Sequence, residues 1–266
     1  MRGLEGEKMF LKKSLCLFVA VFAFSESAFV DSLSKCKIND GDCQKDMFQT
    51  IIKDIAKTGV PELDIPKLDP IELQNVSVAV LDVVDITLVQ GSVKGIKDCT
   101  VNKFVTKMED ERAIVELTCD VSIKGRYKIF SSSPMVKTLL GGESIHGDGN
   151  GKVKIEKLFI RFDFFFFVQK RNGELYLKCN PKKTTYKFEV KGRMRITADK
   201  LFVGDKESSQ LVTGLFNDNW RSLMASFGQP FMDKAAVFVY DFLHKFFDAV
   251  PAKYYISDDL TPFARD

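Results

Sequence analysis

Residues 113 to 130 read AIVELTCDVSIKGRYKIF, and their alternation decides the fold. Ala113, Val115, Leu117, Cys119, Val121, Ile123, Tyr127 and Ile129 fall on one side of an extended chain. Glu116, Thr118, Asp120, Ser122, Lys124, Arg126 and Lys128 fall on the other. Successive strand side chains point to opposite faces, so this segment is a strand with one dry and one wet face, as in an antiparallel sheet covered on one side. At about 3.3 Å per residue it extends roughly 60 Å. A globule of this chain length is only about 45 Å across. The strand must therefore curve, or the molecule must be elongated.

Downstream the pattern repeats with a break. In KVKIEKLFIRFDFFFFVQK, residues 152 to 170, the dry face starts at Val153 and Ile155 and continues at Ile160, Phe162, Phe164, Phe166 and Val168. A switch from odd to even positions is what a bulge or sharp bend produces. Only half of the FFFF run points inward. Phe159, Phe165 and Phe167 share the opposite face with Arg161, Asp163 and Gln169; a strap or the first helix is expected to cover them, the alternative being an exposed contact patch. Residues 184 to 197 continue the alternation, with Tyr186, Phe188, Val190, Met194 and Ile196 inward. Upstream, period two begins at Val76, and Asp82 falls in phase with Val78, Val80, Val84 and Ile86. It marks either a bulge or a polar anchor for a ligand oxygen.

Toward the end of the chain the spacing becomes helical. Leu215, Phe216, Trp220, Leu223, Met224, Phe227, Phe231, Ala235, Phe238, Phe242 and Phe246 form a stripe. In AAVFVYDFLHKFFDAV, residues 235 to 250, the polar positions reduce to Asp241, His244, Lys245 and Asp248, so this half is expected to be buried on most of its circumference. Pro230 should kink or interrupt the helix, because it removes a backbone donor. From Leu211 to Val250 the helix would run about 60 Å, matching the long strand. An earlier helix is expected from about Cys43 to Lys57, capped by Asp42, with Met47, Phe48, Ile51, Ile52 and Ile55 on one face and Gly59 at its exit. Three prolines in GVPELDIPKLDP, residues 59 to 70, then favour an extended strap. The fold class is α+β: a long, highly curved antiparallel sheet rolled around a long C-terminal helix, with an N-terminal helix.

The first residues are read separately. Lys12 and Lys13 precede the apolar run SLCLFVAVFAF and the small-residue cluster Ser25, Ser27 and Ala28. That order is a secretory signal peptide over residues 1 to 27, leaving 28 to 266 as a single domain. Its removal takes four basic and three acidic side chains, so the net charge falls from +3 to +2. A nearly neutral surface argues against nucleic acid as a partner and against strong membrane association. Secretion makes disulfides the natural reading of the cysteines. Cys36 is expected to pair with Cys43 around a turn; of Cys99, Cys119 and Cys179 one thiol is left over, and the favoured pairing is Cys99 with Cys119 across a hairpin turning through MEDER, with Cys179 free. Asn75, in NVS, is a possible glycan acceptor.

Catalysis finds little support. There is no GxSxG elbow, Walker loop or HExxH, and His146 and His244 are the chain's two imidazoles, both expected in solvent. Asp148 and Asn150 in GDGNG form an incomplete calcium series and read as a turn. No CxxC is present to suggest zinc. No catalytic residue, metal or cofactor is expected.

Several motifs together resemble a known family. They are the early Cys36 and Cys43, the strap GVPELDIPKLDP, LFVGDKE at 201 to 207, NDNWRSL from 217, and FDAVPAKYY ending at Tyr255. In this order and spacing the chain resembles the takeout and juvenile-hormone-binding protein family of arthropods over essentially its whole mature length. The resemblance implies a super-roll fold with an internal hydrophobic tunnel and a secreted, extracellular carrier of small lipidic ligands such as terpenoids. It also implies, for the hormone-binding branch, a disulfide between the late sheet and the last helix. Cys179 could be its first half, but the helix contains no cysteine, which points to the broader takeout-like branch. On this reading Phe162, Phe164, Phe166, Leu117, Val121 and Phe188 from the sheet, and Trp220, Leu223, Phe227, Phe231, Phe238 and Phe242 from the helix, line the tunnel. The expected partners are a small hydrophobic ligand and, in a signalling role, a cell-surface receptor, with the protein a monomer. Two rivals stay open: a membrane-interacting lipid-transfer or defence protein of related fold, and a ligand-free signalling protein whose tunnel is filled by side chains.

Overall fold

The computed structural model describes residues 28–80, 83–180 and 183–265. Residues 1 to 27, expected to be a signal peptide, and Asp82 lie outside the described residues. The elements are α1 (Ala28–Asp31), α2 (Gly41–Thr58), β1 (Ile71–Val80), β2 (Val84–Lys94), β3 (Thr100–Lys107), β4 (Arg112–Ser131), α3 (Pro134–Leu139), β5 (Ile145–Arg171), β6 (Glu174–Cys179), β7 (Thr185–Val190), β8 (Met194–Ala198), β9 (Leu201–Val203), β10 (Lys206–Glu207), α4 (Ser209–Asp218), α5 (Trp220–Ala249) and β11 (Ala264–Arg265). The strand expected at 113 to 130 is β4, within one residue at either end. GDGNG is not a turn: it belongs to β5, and Arg126 grips Asp148 through two hydrogen bonds of 2.9 and 3.0 Å.

β5 is the spine of one open antiparallel sheet. β4 pairs along one edge of it, β2 and β1 continue outward from β4, and β3 pairs with the start of β4. β6, β7, β8 and β9 occupy successive stretches of the other edge, and β11 pairs in parallel with Val168 and Gln169 on the β4 edge, just past the start of β4. With 27 residues, β5 would extend about 90 Å if straight. Two creases bend it.

The first crease is the expected bulge. Lys157 has φ 51°, and the register jumps from Cys119↔Leu158 to Val121↔Ile155. The Asp120 carboxylate accepts from the Lys157 amide at 2.7 Å. On the other edge the sequence segment 184 to 197 splits into β7 and β8 at the same level, around Gly192. The second crease is a column of glycines, Gly91, Gly125 and Gly151, paired across β2, β4 and β5. A Cβ on Gly125 would lie 2.2 Å from the Gln90 carbonyl oxygen and 2.5 Å from the Gly91 Cα. Missing side chains let the strands approach and coil there.

The concave face carries the core. Phe162, Phe164, Phe166 and Val168 are buried, as the alternation required. Their outward neighbours are covered, but not by the strap or first helix: the Arg112 guanidinium sits 5.8 Å above the Phe165 ring, and Arg265 of β11 sits 5.4 Å above Phe167. Cations lie favourably on ring faces at this distance. Arg112 and Arg161 also pair with the buried Asp163 beneath them.

The helices depart from the sequence reading in three ways. Asp40, not Asp42, caps α2, accepting from the Cys43 amide at 3.0 Å. The long C-terminal helix is broken at Asn219 rather than at Pro230. The Asn219 amide and side chain both turn back to α4 carbonyls, while α5 runs unbroken through Pro230. The carbonyl left without a donor belongs to exposed Ser226, where water can take its place.

Third, α5 is not buried on most of its circumference. Its buried stripe is Gly228, Met232, Ala236, Leu243 and Phe246, following Trp220 at the start. Phe231 and Phe238 lie roughly a quarter-turn round from it, on a side the open sheet does not reach. They are 39% and 43% exposed, so these two expected tunnel residues face outward. Val237, and Leu211, Leu215 and Phe216 of α4, are exposed with them.

Candidate functional site

Two hydrophobic cores lie along the roll. One small core, Ile145, Leu201 and Val212 with Tyr127 and Val136 against it, fills the end near α3 and α4. The Asn217 side chain fixes α4 there, accepting from the Ile196 amide at 2.7 Å and donating to its carbonyl at 2.9 Å. This gives NDNW a structural reason: Asn217 ties the helix to β8, and Asn219 sets the bend into α5.

The other end holds the larger core and a cavity of about 90 Å3. Its walls come from four sources. α2 supplies Gln44, Met47, Phe48 and Ile51; the sheet supplies Phe104, Thr106, Ala113, Val115, Phe164, Phe166, Leu177 and Cys179. α5 supplies Phe242, Leu243, Phe246 and Phe247, and Tyr255 and Ile256 close the end with Ile38. The Gln49 side chain locks α2 in place, donating to the Cys99 carbonyl and accepting from the Val101 amide, both at 2.9 Å. Two disulfides, Cys36–Cys43 and Cys99–Cys119, flank that contact. The FDAVPAKYY segment turns after α5 and returns to the first residues: the Cys36 amide donates to the Tyr255 carbonyl at 3.1 Å, and the Ser257 amide to the Cys36 carbonyl at 3.0 Å.

Few polar atoms reach the cavity. Gln44 is satisfied, donating to the Ile38 carbonyl at 3.0 Å and accepting from Thr106 at 3.0 Å. The Cys179 thiol is pushed up to about 12 by burial, with Asp248 adding to the shift and Lys178 opposing it, so it stays protonated. Burial also raises the Tyr255 phenol, the Cys179 thiol adds to this, and the approach of the Leu177 amide opposes it without reaching hydrogen-bond geometry. Outside the wall, Asp248 pairs with Lys178 and with His244.

Of the residues expected to line a tunnel, Phe164, Phe166 and Phe242 meet at this cavity. Phe162 stacks on Phe164 with ring centroids 5.3 Å apart. Leu117, Val121, Phe188, Leu223 and Phe227 are half-buried along the concave face, and Trp220 is buried at the far end of α5. Phe188 approaches α5 at Gly228, where an added Cβ would sit 3.0 Å from the Phe188 ring. Sequence pattern does not mark Tyr255, Cys179 or the α2 residues as site residues. The alternation marks which face a residue takes, and nothing local in FDAVPAKYY marks a chain returning to Cys36.

A coiled antiparallel sheet with a long helix along its concave face defines the super-roll class. The family model for haemolymph juvenile hormone binding protein matches residues 14–257, and the chain belongs to that family. Among solved structures it is similar to Takeout 1 of Epiphyas postvittana, with a TM-score of 0.74 and 24% identity, covering 84% of this chain and 99% of that one. No curated protein matches the chain.

Proposed function

We propose that this protein is a secreted, takeout-like carrier that holds a small hydrophobic molecule in an internal tunnel. The observation that supports it most is the cavity between α2, the sheet and α5, whose described lining contains no charged side chain. Such a wall recognises a ligand through apolar burial. The half-buried row of Leu117, Ile160, Phe188, Leu223 and Phe227 continues the apolar path along the roll. The protein binds rather than catalyses, acts as a monomer after loss of residues 1 to 27, and can carry a glycan at the exposed Asn75. A terpenoid or a fatty-acid-like molecule suits the chemistry. Native mass spectrometry of protein extracted mildly from extracellular fluid tests this: a co-purifying apolar ligand supports it, and protein that stays empty with a panel of such ligands refutes it.

One observation favours a second reading. Leu211, Leu215, Phe216, Phe231, Val237 and Phe238 are large apolar side chains exposed on α4 and α5, the kind of side chain a lipid-transfer protein lays on a membrane. Co-sedimentation with neutral vesicles, abolished by Phe238→Ser, would favour transfer over simple carriage.

A further inference from the structure

Tyr255 is the one described buried side chain whose polar atom has no hydrogen-bond partner. The residue is 4% exposed and its ring is held against Phe246 and Phe247, with centroid separations of 5.6 and 5.9 Å. A phenol in so apolar a place normally finds a partner. It lines the cavity, beside Cys179. The other polar side chains of the wall do not supply one, since Gln44 and Thr106 satisfy each other.

We propose that the Tyr255 hydroxyl is the head-group anchor of the ligand site, donating a hydrogen bond to a neutral acceptor oxygen such as an ester, ketone or ether. This rests on the carrier reading and narrows it. An ionised carboxylate fits poorly, because it would enter a wall with no charged side chain, and the nearby Lys178 is already committed to Asp248. Burial keeps both the thiol and the phenol protonated, so the wall offers donors and no charge. Size agrees with this assignment. A volume of about 90 Å3 suits a head group, while pockets for whole small molecules run to about 300 Å3 and above. The tail would then lie toward Phe188 and Phe227, along the half-buried row.

The test compares methyl laurate, laurate at pH 8 and dodecane on the mature protein and on Tyr255→Phe, with affinities read by native mass spectrometry and melting shifts. Removing a hydroxyl that has no partner should leave the unliganded melting temperature unchanged or higher. The variant should lose about tenfold in affinity for the ester and nothing for dodecane, and the wild type should prefer ester to laurate. Loss of dodecane binding in step with the ester would expose a merely structural role and overturn the anchor. So would an unchanged ester affinity, or a wild-type preference for laurate; the last can be read even if the variant fails to fold. If wild type binds none of the three, the carrier reading falls and the anchor with it.

Discussion

Replacing Phe242 by alanine should make the protein less stable and a better binder. The ring is half-buried on α5, stacked on Phe246 at 6.4 Å, and forms part of the cavity wall. The cavity holds about 90 Å3, whereas a terpenoid of about twenty heavy atoms needs a pocket of at least roughly 300 Å3. On the carrier reading side chains must therefore move aside on binding, and Phe242 is, with Phe247, one of the two half-buried aromatics that α5 gives to the wall. Truncating a fully buried Phe costs about 3 to 5 kcal/mol, so a half-buried one should cost about 3. In a domain of this size that lowers the melting temperature by roughly 6 to 12 °C. Wild-type affinity, at about 0.4 kcal/mol per heavy atom, should be near micromolar. With the ring gone its displacement no longer opposes binding, and affinity should rise about tenfold. Titration calorimetry gives the affinity and a thermal melt the stability, with ligand at a hundred times Kd restoring about 2.7 kcal/mol. A variant that melts early yet binds no better, while Val237→Ala on the exposed side changes neither, would show that the ligand does not lodge against Phe242.

Three further outcomes follow from other contacts. Phe165→Ser removes a convex-face ring lying under Arg112, so ligand affinity should stay within about twofold because alternation points that side chain away from the cavity; a larger loss by calorimetry would reverse the assigned faces. Burial pushes the Asp163 carboxyl up, but hydrogen bonds from Arg161 and Arg112 outweigh it and hold it below the usual carboxylate range. Its contribution is then present above about pH 4 and lost as pH falls through the folded value, so melting temperature should fall less steeply in acid for Asp163→Asn than for wild type. Gly125→Ala places a Cβ against the backbone of β2 and should cost about 1 to 3 kcal/mol, whereas Gly214→Ala, in open space on α4, should stabilise by about 0.5 to 1 kcal/mol; chemical denaturation of the pair measures both.

What was legible in the sequence followed from periodicity. β4, the phase switch realised at Lys157 and the inward set of Phe162, Phe164 and Phe166 all come from side-chain alternation, a property of consecutive residues. Helix stripes were less decisive. With apolar residues spread over much of the circumference from Phe231 to Val250, the pattern does not say which arc the sheet covers, and Phe231 and Phe238, inward on the stripe reading, lie outward. The cap is Asp40 rather than Asp42 because two acids lie two residues apart at the helix start, and only the backbone geometry decides which carboxylate reaches the Cys43 amide. Tyr255 could not be found locally, since its place depends on pairing between Cys36 and Ile256, 220 positions apart by their numbers.

The cations over Phe165 and Phe167 have a bearing on solubility. A run of strand-forming rings such as FDFFFFV is the composition of a steric zipper, hazardous wherever its edges or faces are bare. In the folded chain β4 covers one edge and β6 and β7 the other, the inward rings are in the core, and the outward ones lie beneath positively charged guanidinium groups that repel those of a second copy. Arg112 and Arg265 thus act as gatekeepers against self-association, and neutralising both should show first as aggregation during folding.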